Sequence, residues 1–171
     1  MGARGNLVLS DLWASIKNFL GLASPGDLIE IFRGAYNHWA VYVGDGYVVH
    51  FVTPGLGSGS SGVGGGDVGI VLKQKLQDVV GKDDWKINNI LDDKYSPRPA
   101  KDILRSAGSL VRTSLQYSLL HYNCEHFATE MRYGRPESQQ AQKAAETARG
   151  AALVVGAFGV VGALLLRAMR D

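Results

Sequence analysis

One stretch of the chain decides the fold: His38-Trp39-Ala40-Val41-Tyr42-Val43-Gly44-Asp45-Gly46-Tyr47-Val48-Val49-His50. Two runs rich in β-branched and aromatic residues, His38–Val43 and Tyr47–Val52, flank a glycine-aspartate-glycine turn. This pattern is typical of a β-hairpin. Since a histidine stands near each end, the hairpin also decides whether the two imidazoles share a face of the sheet.

Two registers of this hairpin are open. A two-residue loop, Asp45-Gly46, places His50 on the face opposite to His38. A three-residue loop, Gly44-Asp45-Gly46, places His50 diagonal to His38 on the same face, with Cα atoms about 7–8 Å apart. In that register one imidazole can orient the other. The sequence does not choose between them.

Further elements extend outward from the hairpin. Leu28–Phe32 and Gly69–Leu76 are predicted strands, and residues 82–99 are polar and turn-rich. Residues 55–66 consist of glycine and serine with two apolar residues, which indicates a flexible loop. A phosphate-binding loop is the sharper alternative, but no Lys-Ser or Lys-Thr pair follows to complete the motif.

Two helices are predicted in the second half of the chain. Ala100–Arg112 follows Pro99, and five of its apolar residues are expected to face inward: Ile103, Leu104, Ala107, Leu110 and Val111. Asn123–Tyr133 can be capped by Asn123, and Gly134 ends it. Phe127 and Met131 share one face of this second helix.

Cys124, the only cysteine, lies in the first turn of the second helix. With one thiol no internal disulfide can form, so a reducing environment is expected. Unpaired backbone N–H groups and the helix dipole favour a thiolate at that position. Glu125 opposes this effect, so a histidine partner is needed to activate the sulfur.

Four histidines are candidates for that partner. His126 is a poor one, because residues two apart on a helix point about 200° away from each other. A structural or capping role suits it better. His121 precedes the helix and its role is undetermined, while His38 and His50 belong to the hairpin.

The two ends of the chain differ from the middle. Residues 10–20 can form an amphipathic helix, packed on the domain or resting on lipid. Gly150–Leu166 carries no charge and would span roughly 25 Å as a helix, against about 30 Å of hydrocarbon. We expect a single-pass anchor there, with a buried helix or an interfacial placement as alternatives. The last forty residues are basic, which suits an anionic membrane surface.

These features predict the following organisation: an N-terminal extension at 1–23, a catalytic domain at 24–135, a linker at 136–149, a hydrophobic membrane anchor at 150–166 and a tail at 167–171. The expected location is cytoplasm-facing, on an intracellular membrane. The net charge of +2 gives no case for nucleic acid.

Three motifs together closely resemble the phospholipase A and acyltransferase family, which belongs to the lecithin–retinol acyltransferase group. They are the 25–33 stretch Pro-Gly-Asp-Leu-Ile-Glu-Ile-Phe-Arg, the hairpin from His38 to His50, and Asn123-Cys124-Glu125-His126-Phe127. The segment Asp93-Lys94-Tyr95-Ser96-Pro97 also fits. Gly34 stands where a proline is common, and Asn37 where a basic residue is common.

The resemblance implies a circularly permuted papain-like α+β fold with an antiparallel sheet and the nucleophile at a helix start. It implies Cys124 as nucleophile, His38 as general base and His50 as the residue that orients His38. No cofactor and no metal are expected. Independently of the resemblance, Arg33 is predicted to contact a substrate phosphate.

The implied activity is a calcium-independent phospholipase A1/A2 and acyltransferase. It moves an acyl chain from a glycerophospholipid, through a cysteine thioester, to water, to the amine of phosphatidylethanolamine or to a lysophospholipid. The partners are therefore a phospholipid membrane and its lipids. A thiol peptidase and a non-enzymatic membrane-perturbing or partner-binding protein are the alternatives.

Overall fold

The computed structural model describes residues 22–53 and 67–149. Its six strands are β1 (Leu28–Phe32), β2 (Asn37–Gly44), β3 (Tyr47–Val52), β4 (Asp67–Lys75), β5 (Trp85–Ile87) and β6 (Ser114–Tyr117). Three helices lie among them: α1 (Leu76–Val80), α2 (Ala100–Ser109) and α3 (Cys124–Tyr133). A fourth helix, α4, covers 139–149 and falls in a separate compact unit that begins at Gln139.

The strands form one sheet in the order β5-β1-β2-β3-β4-β6, and every neighbouring pair is antiparallel. The predicted α+β class with an antiparallel sheet is confirmed. The predicted strands and both predicted helices are present, although α2 ends at Ser109 rather than at Arg112. The circular permutation stays a prediction.

The β2–β3 hairpin combines features of both predicted registers. Its turn is the two-residue loop Asp45-Gly46, where both residues have positive φ. A register shift between Tyr42 and Gly44 then gives the pairing expected of the three-residue loop, in which Ala40 opposes His50. A β-bulge adds one residue to one strand. Because of that extra residue, His38 and His50 lie on the same face.

The sheet buries apolar side chains on both faces. One face packs against α2 and α3 through the alternate residues of β2 and β3, including Trp39, Val41, Val49 and Phe51. The other face, with Ala40 and Val48, packs against α1. Because both faces of the sheet are buried, the sequences of β2 and β3 are nearly continuous apolar runs.

Helix α3 has well-defined ends. The Asn123 side chain accepts hydrogen bonds from the N–H groups of Glu125 and His126, at 2.9 and 3.2 Å. The His126 Nδ1 accepts the Asn123 N–H at 3.2 Å, which completes a capping box. The capping role predicted for His126 is confirmed. Gly134, with φ of 72°, ends the helix in the left-handed region.

Arg132 fixes the other end of α3 to the rest of the domain. Its guanidinium donates to both carboxylate oxygens of Asp92 at 3.0 Å and to the Gly26 carbonyl at 2.8 Å. The Asp27 carboxylate lies 3.6 Å away. Arg132 therefore joins the helix to the start of β1 and to the turn that follows β5.

The predicted localisation has to be corrected. Within residues 22–53 and 67–149, no helix combines the length and apolarity needed to cross a bilayer. Ten-residue helices such as α2 and α3 reach only about 15 Å, half of a hydrocarbon core. This finding contradicts a cytoplasm-facing domain held by a single-pass helix. The segment named for that helix, 150–166, lies outside the described residues, as do 10–20 and 55–66.

Replacing Arg132 tests its tethering role. Arg132→Met should lower the free energy of unfolding by about 3 kcal/mol, because the buried Asp27 carboxylate loses its positive partner. Arg105→Met is the matched control. Its exposed pair with Asp102 is worth less than about 1 kcal/mol. Urea denaturation measures both, and equal midpoints for the two variants would contradict the assignment.

Candidate active site

Cys124 is the first residue of α3 and lies beside the first residues of the central strand β2. Its side chain is only 3% exposed. The thiol points at the Asn37 carbonyl oxygen, with the sulfur 4.0 Å away, and the Trp39 backbone amide lies near enough to lower the pKa of the thiol. The sulfur therefore touches the backbone on both sides of His38.

The pairing of β2 explains this position. Even-numbered residues of β2 direct their N–H and C=O groups towards β1, as Tyr42 does with Asp27 and Gly26. The odd-numbered residues therefore face β3. The β2–β3 ladder starts only at Ala40 and His50. Beyond that point, on the side of β2 that faces β3, the Cys124 sulfur lies beside Asn37 and Trp39.

Other donors surround the sulfur. The Tyr117 hydroxyl and the Glu125 N–H lie near enough to lower the pKa of the thiol, and the Tyr117 hydroxyl also lies near the Cys124 backbone. Tyr117 comes from the end of β6, and its ring packs on Phe51 with centroids 5.0 Å apart. The site thus has several hydrogen-bond donors within a few ångströms of one sulfur atom.

The two hairpin histidines contact each other directly. His38 Nε2 lies 2.9 Å from His50 Nδ1, and the rings meet edge to face. His50 Nε2 lies 2.8 Å from the Gln74 Oε1 on β4. Because Nε2 of His38 is turned to His50, only Nδ1 remains available for a further partner.

Burial controls the charge of all three groups. The side chains of Cys124, His38 and His50 are 3%, 7% and 4% exposed. Burial raises the pKa of the Cys124 thiol to about 11, against the lowering effect of the nearby donors. Burial lowers the pKa of His38 well below 6.5, and the neighbouring His50 and Arg33 lower it further. Burial also lowers the pKa of His50. Burial therefore favours the neutral form of each of the three groups.

This electrostatic state differs from the thiolate that the helix start was expected to favour. The amide donors of α3 are present, but the Glu125 and His126 N–H groups also serve the Asn123 cap. Desolvation of the sulfur outweighs what remains of their effect.

The remaining candidates occupy other places. Arg33 donates to the Val79 carbonyl and pairs with Asp83 at 3.3 Å, so it holds α1 against the sheet. Its predicted contact with phosphate stays a prediction. His121 is exposed in the turn before α3. The part of the chain that the structure describes contains no cluster of three or more potential metal ligands.

Sequence reasoning missed Tyr117 and Gln74. Tyr117 lies seven residues before Cys124 and returns to it because Ser118 and Tyr122 form a bridge. Gln74 belongs to β4, where it opposes Val48 and lies diagonal to His50. Neither residue stands in a motif, and only the strand order brings them to the site.

A cysteine at a helix start, held against the backbone beside a buried histidine pair, defines the class of thiol-histidine enzymes. The sequence profile of the lecithin retinol acyltransferase family matches residues 22–137. The chain belongs to this family and is an enzyme. The resemblance on which that prediction stood is confirmed.

Individual relatives are similar over most of their length. Human phospholipase A and acyltransferase 3 is 45% identical over 151 residues, which cover 86% of this chain and 93% of the relative. Human phospholipase A and acyltransferase 2 is 43% identical over 160 residues, 89% of this chain and 99% of the relative. Human phospholipase A and acyltransferase 4 is 44% identical over 142 residues, 81% and 86% respectively.

The lowered pKa of His38 predicts a stability change with pH. Below pH 6.5 the unfolded chain binds a proton that the folded chain does not, so acid lowers the free energy of unfolding. The loss reaches at most about 1.4 kcal/mol per pH unit for one group and continues until pH falls to the folded-state pKa.

Urea denaturation between about pH 5 and pH 7 measures this slope. His38→Gln should flatten the slope, because glutamine does not titrate. His121→Gln, at an exposed position, should leave it unchanged. Identical slopes for wild type and His38→Gln would contradict a buried neutral imidazole.

Proposed function

We propose that this chain is a phospholipase A and acyltransferase that works through a thioester on Cys124. One observation carries the proposal: the thiol lies against the backbone on both sides of His38, and the His38 ring is hydrogen-bonded to His50. The relatives' names, phospholipase A and acyltransferase, supply the substrate class. A glycerophospholipid is therefore the proposed acyl donor.

In the first step His38 acts as the general base. Its Nδ1 takes the proton of the Cys124 thiol as the sulfur attacks the ester carbonyl carbon. Since thiol and imidazole are both neutral at rest, charge develops only along the reaction coordinate. A base that takes the proton at that moment is worth about 10²–10⁴ in rate. His50 fixes the ring of His38 through Nε2.

The tetrahedral intermediate needs donors for its oxyanion. The Tyr117 hydroxyl and the Cys124 N–H lie beside the sulfur and are proposed for this task. The C–O bond then breaks, and the departing lysophospholipid oxygen takes its proton from His38. The acyl chain remains on sulfur as a thioester.

In the second step another nucleophile attacks the thioester carbonyl, with His38 again taking its proton. The C–S bond then breaks, and the Cys124 sulfur takes that proton back from His38. Water gives a free fatty acid, whereas the amine of phosphatidylethanolamine gives an N-acylated product. A lysophospholipid hydroxyl gives a new diacyl lipid. The burial of the three side chains limits access of water, which favours the lipid acceptors.

Further details belong to the same proposal. Release of the sn-1 or sn-2 chain without calcium follows from the assignment of proton transfer and oxyanion binding to this chain's own groups. The circularly permuted papain-like arrangement and a catalytic domain at 24–135 also belong to it. The family match at 22–137 supports that extent.

Mass spectrometry of the intact protein tests the nucleophile. After incubation with phosphatidylcholine in detergent, wild type should gain one acyl mass that neutral hydroxylamine removes, as expected of a thioester. Cys124→Ser should gain none, because serine is a far weaker nucleophile beside the same base. An acyl adduct on this variant would show that the nucleophile is another residue.

The two histidines should differ in severity. His38→Ala should lower kcat about 10²–10⁴-fold, since it removes the proton acceptor. His50→Ala should leave more activity, because His50 acts only through His38. His121→Ala is the matched control and should retain wild-type turnover. Release of fatty acid, followed by lipid mass spectrometry, measures all three, and the ranking fails if His50→Ala is at least as severe as His38→Ala.

A further inference from the structure

Gln74 is the only side chain described at the outer nitrogen of His50 among residues 22–53 and 67–149. Its Oε1 lies 2.8 Å from His50 Nε2. Gln74 opposes Val48 on the neighbouring strand, so its side chain reaches His50 diagonally on the same face. The residue is exposed, but its amide oxygen points inward at the histidine.

The chemistry of the amide oxygen sets a direction for the whole chain of hydrogen bonds. A carbonyl oxygen only accepts, so His50 Nε2 must carry a proton. A neutral His50 then has a bare Nδ1, which accepts from His38 Nε2. His38 therefore carries its proton on Nε2, and its Nδ1 has a free lone pair.

Hydrogen bonds running in the opposite direction would leave His38 unable to accept the thiol proton on Nδ1. If an N–H group faced His50 Nε2, that nitrogen would accept, and His50 Nδ1 would donate to His38 Nε2. The His38 proton would then sit on Nδ1, the one ring nitrogen left for the thiol. A neutral imidazole with its proton on Nδ1 cannot take another proton there.

We propose that Gln74 is a positioning residue that sets the tautomers of His50 and His38, so that Nδ1 of His38 is free to accept a proton. Gln74 acts two hydrogen bonds away from the reacting atoms. Its contribution to catalysis rests on the proposed function, whereas its effect on the tautomers does not.

Three variants test whether the Gln74 side chain acts as a hydrogen-bond acceptor or only through its packing. Gln74→Met keeps the length of the side chain and removes the acceptor. Gln74→Glu keeps an acceptor and cannot donate when ionised. Gln77→Met changes an exposed glutamine on α1 and serves as the matched control. Assays at about pH 8 keep both imidazoles neutral, so an added carboxylate does not charge them.

Kinetics on detergent-dispersed phosphatidylcholine are the first measurement. Gln74→Met should lower kcat about tenfold with little change in KM. A tenfold loss corresponds to the net free energy of one hydrogen bond that water partly replaces. Gln74→Glu and Gln77→Met should stay within about twofold of wild type. Wild-type kcat for Gln74→Met, or a Gln74→Glu variant as impaired as Gln74→Met, would overturn the catalytic part of the proposal.

Nitrogen-15 NMR of histidine-labelled protein is the second measurement and needs no substrate. Wild type should show His38 and His50 protonated on Nε2, and Gln74→Met should show protonation of Nδ1 in both. Unchanged tautomers in that variant would overturn the proposal. Since this readout is independent of turnover, it still decides the role of Gln74 if the Cys124→Ser experiment rejects the thioester.

Discussion

The site depends on the point at which the pairing between β2 and β3 ends, at Ala40 and His50. Strand pairing satisfies the backbone of β2 only from Ala40 onward on that side. Beyond that point the thiol of Cys124, and not β3, lies beside the Asn37 carbonyl and the Trp39 amide. The start of α3 is thereby fixed beside His38, and the Asn123 cap and Arg132 hold the two ends of the same helix.

Burial then decides how the site can work. With thiol and imidazoles all withdrawn from water, burial disfavours the charged form of each group and, with it, a preformed thiolate–imidazolium pair. In the proposed mechanism proton transfer accompanies attack, so the direction of the hydrogen bonds through His50 matters as much as the distances. The same dry surroundings suit an enzyme whose acyl group can pass to a lipid instead of to water.

Much of the fold could be predicted from residue patterns. Alternating and continuous apolar runs located β1 to β4 but not the short strands β5 and β6. Asn123 and Gly134 located the ends of α3. The hairpin register could not be predicted, since a bulge at Val43 combined a two-residue turn with the pairing expected of a three-residue one. The predicted single-pass helix rested on the length, charge and position of residues 150–166, and no helix among residues 22–53 and 67–149 supports the localisation drawn from it.

For the site, the sequence by itself determined the reactive groups: a single cysteine at a helix start, and two histidines at the ends of one hairpin. Motifs in that order also identified the family, because residue type and spacing along the chain are enough for recognition. Only the tertiary structure decided the charge of those groups and the two residues that complete the site. Tyr117 and Gln74 come from strands whose position follows from sheet order, and burial depends on packing around the whole site. Neither the order of the strands nor the burial of a side chain is a property of neighbouring residues in the sequence.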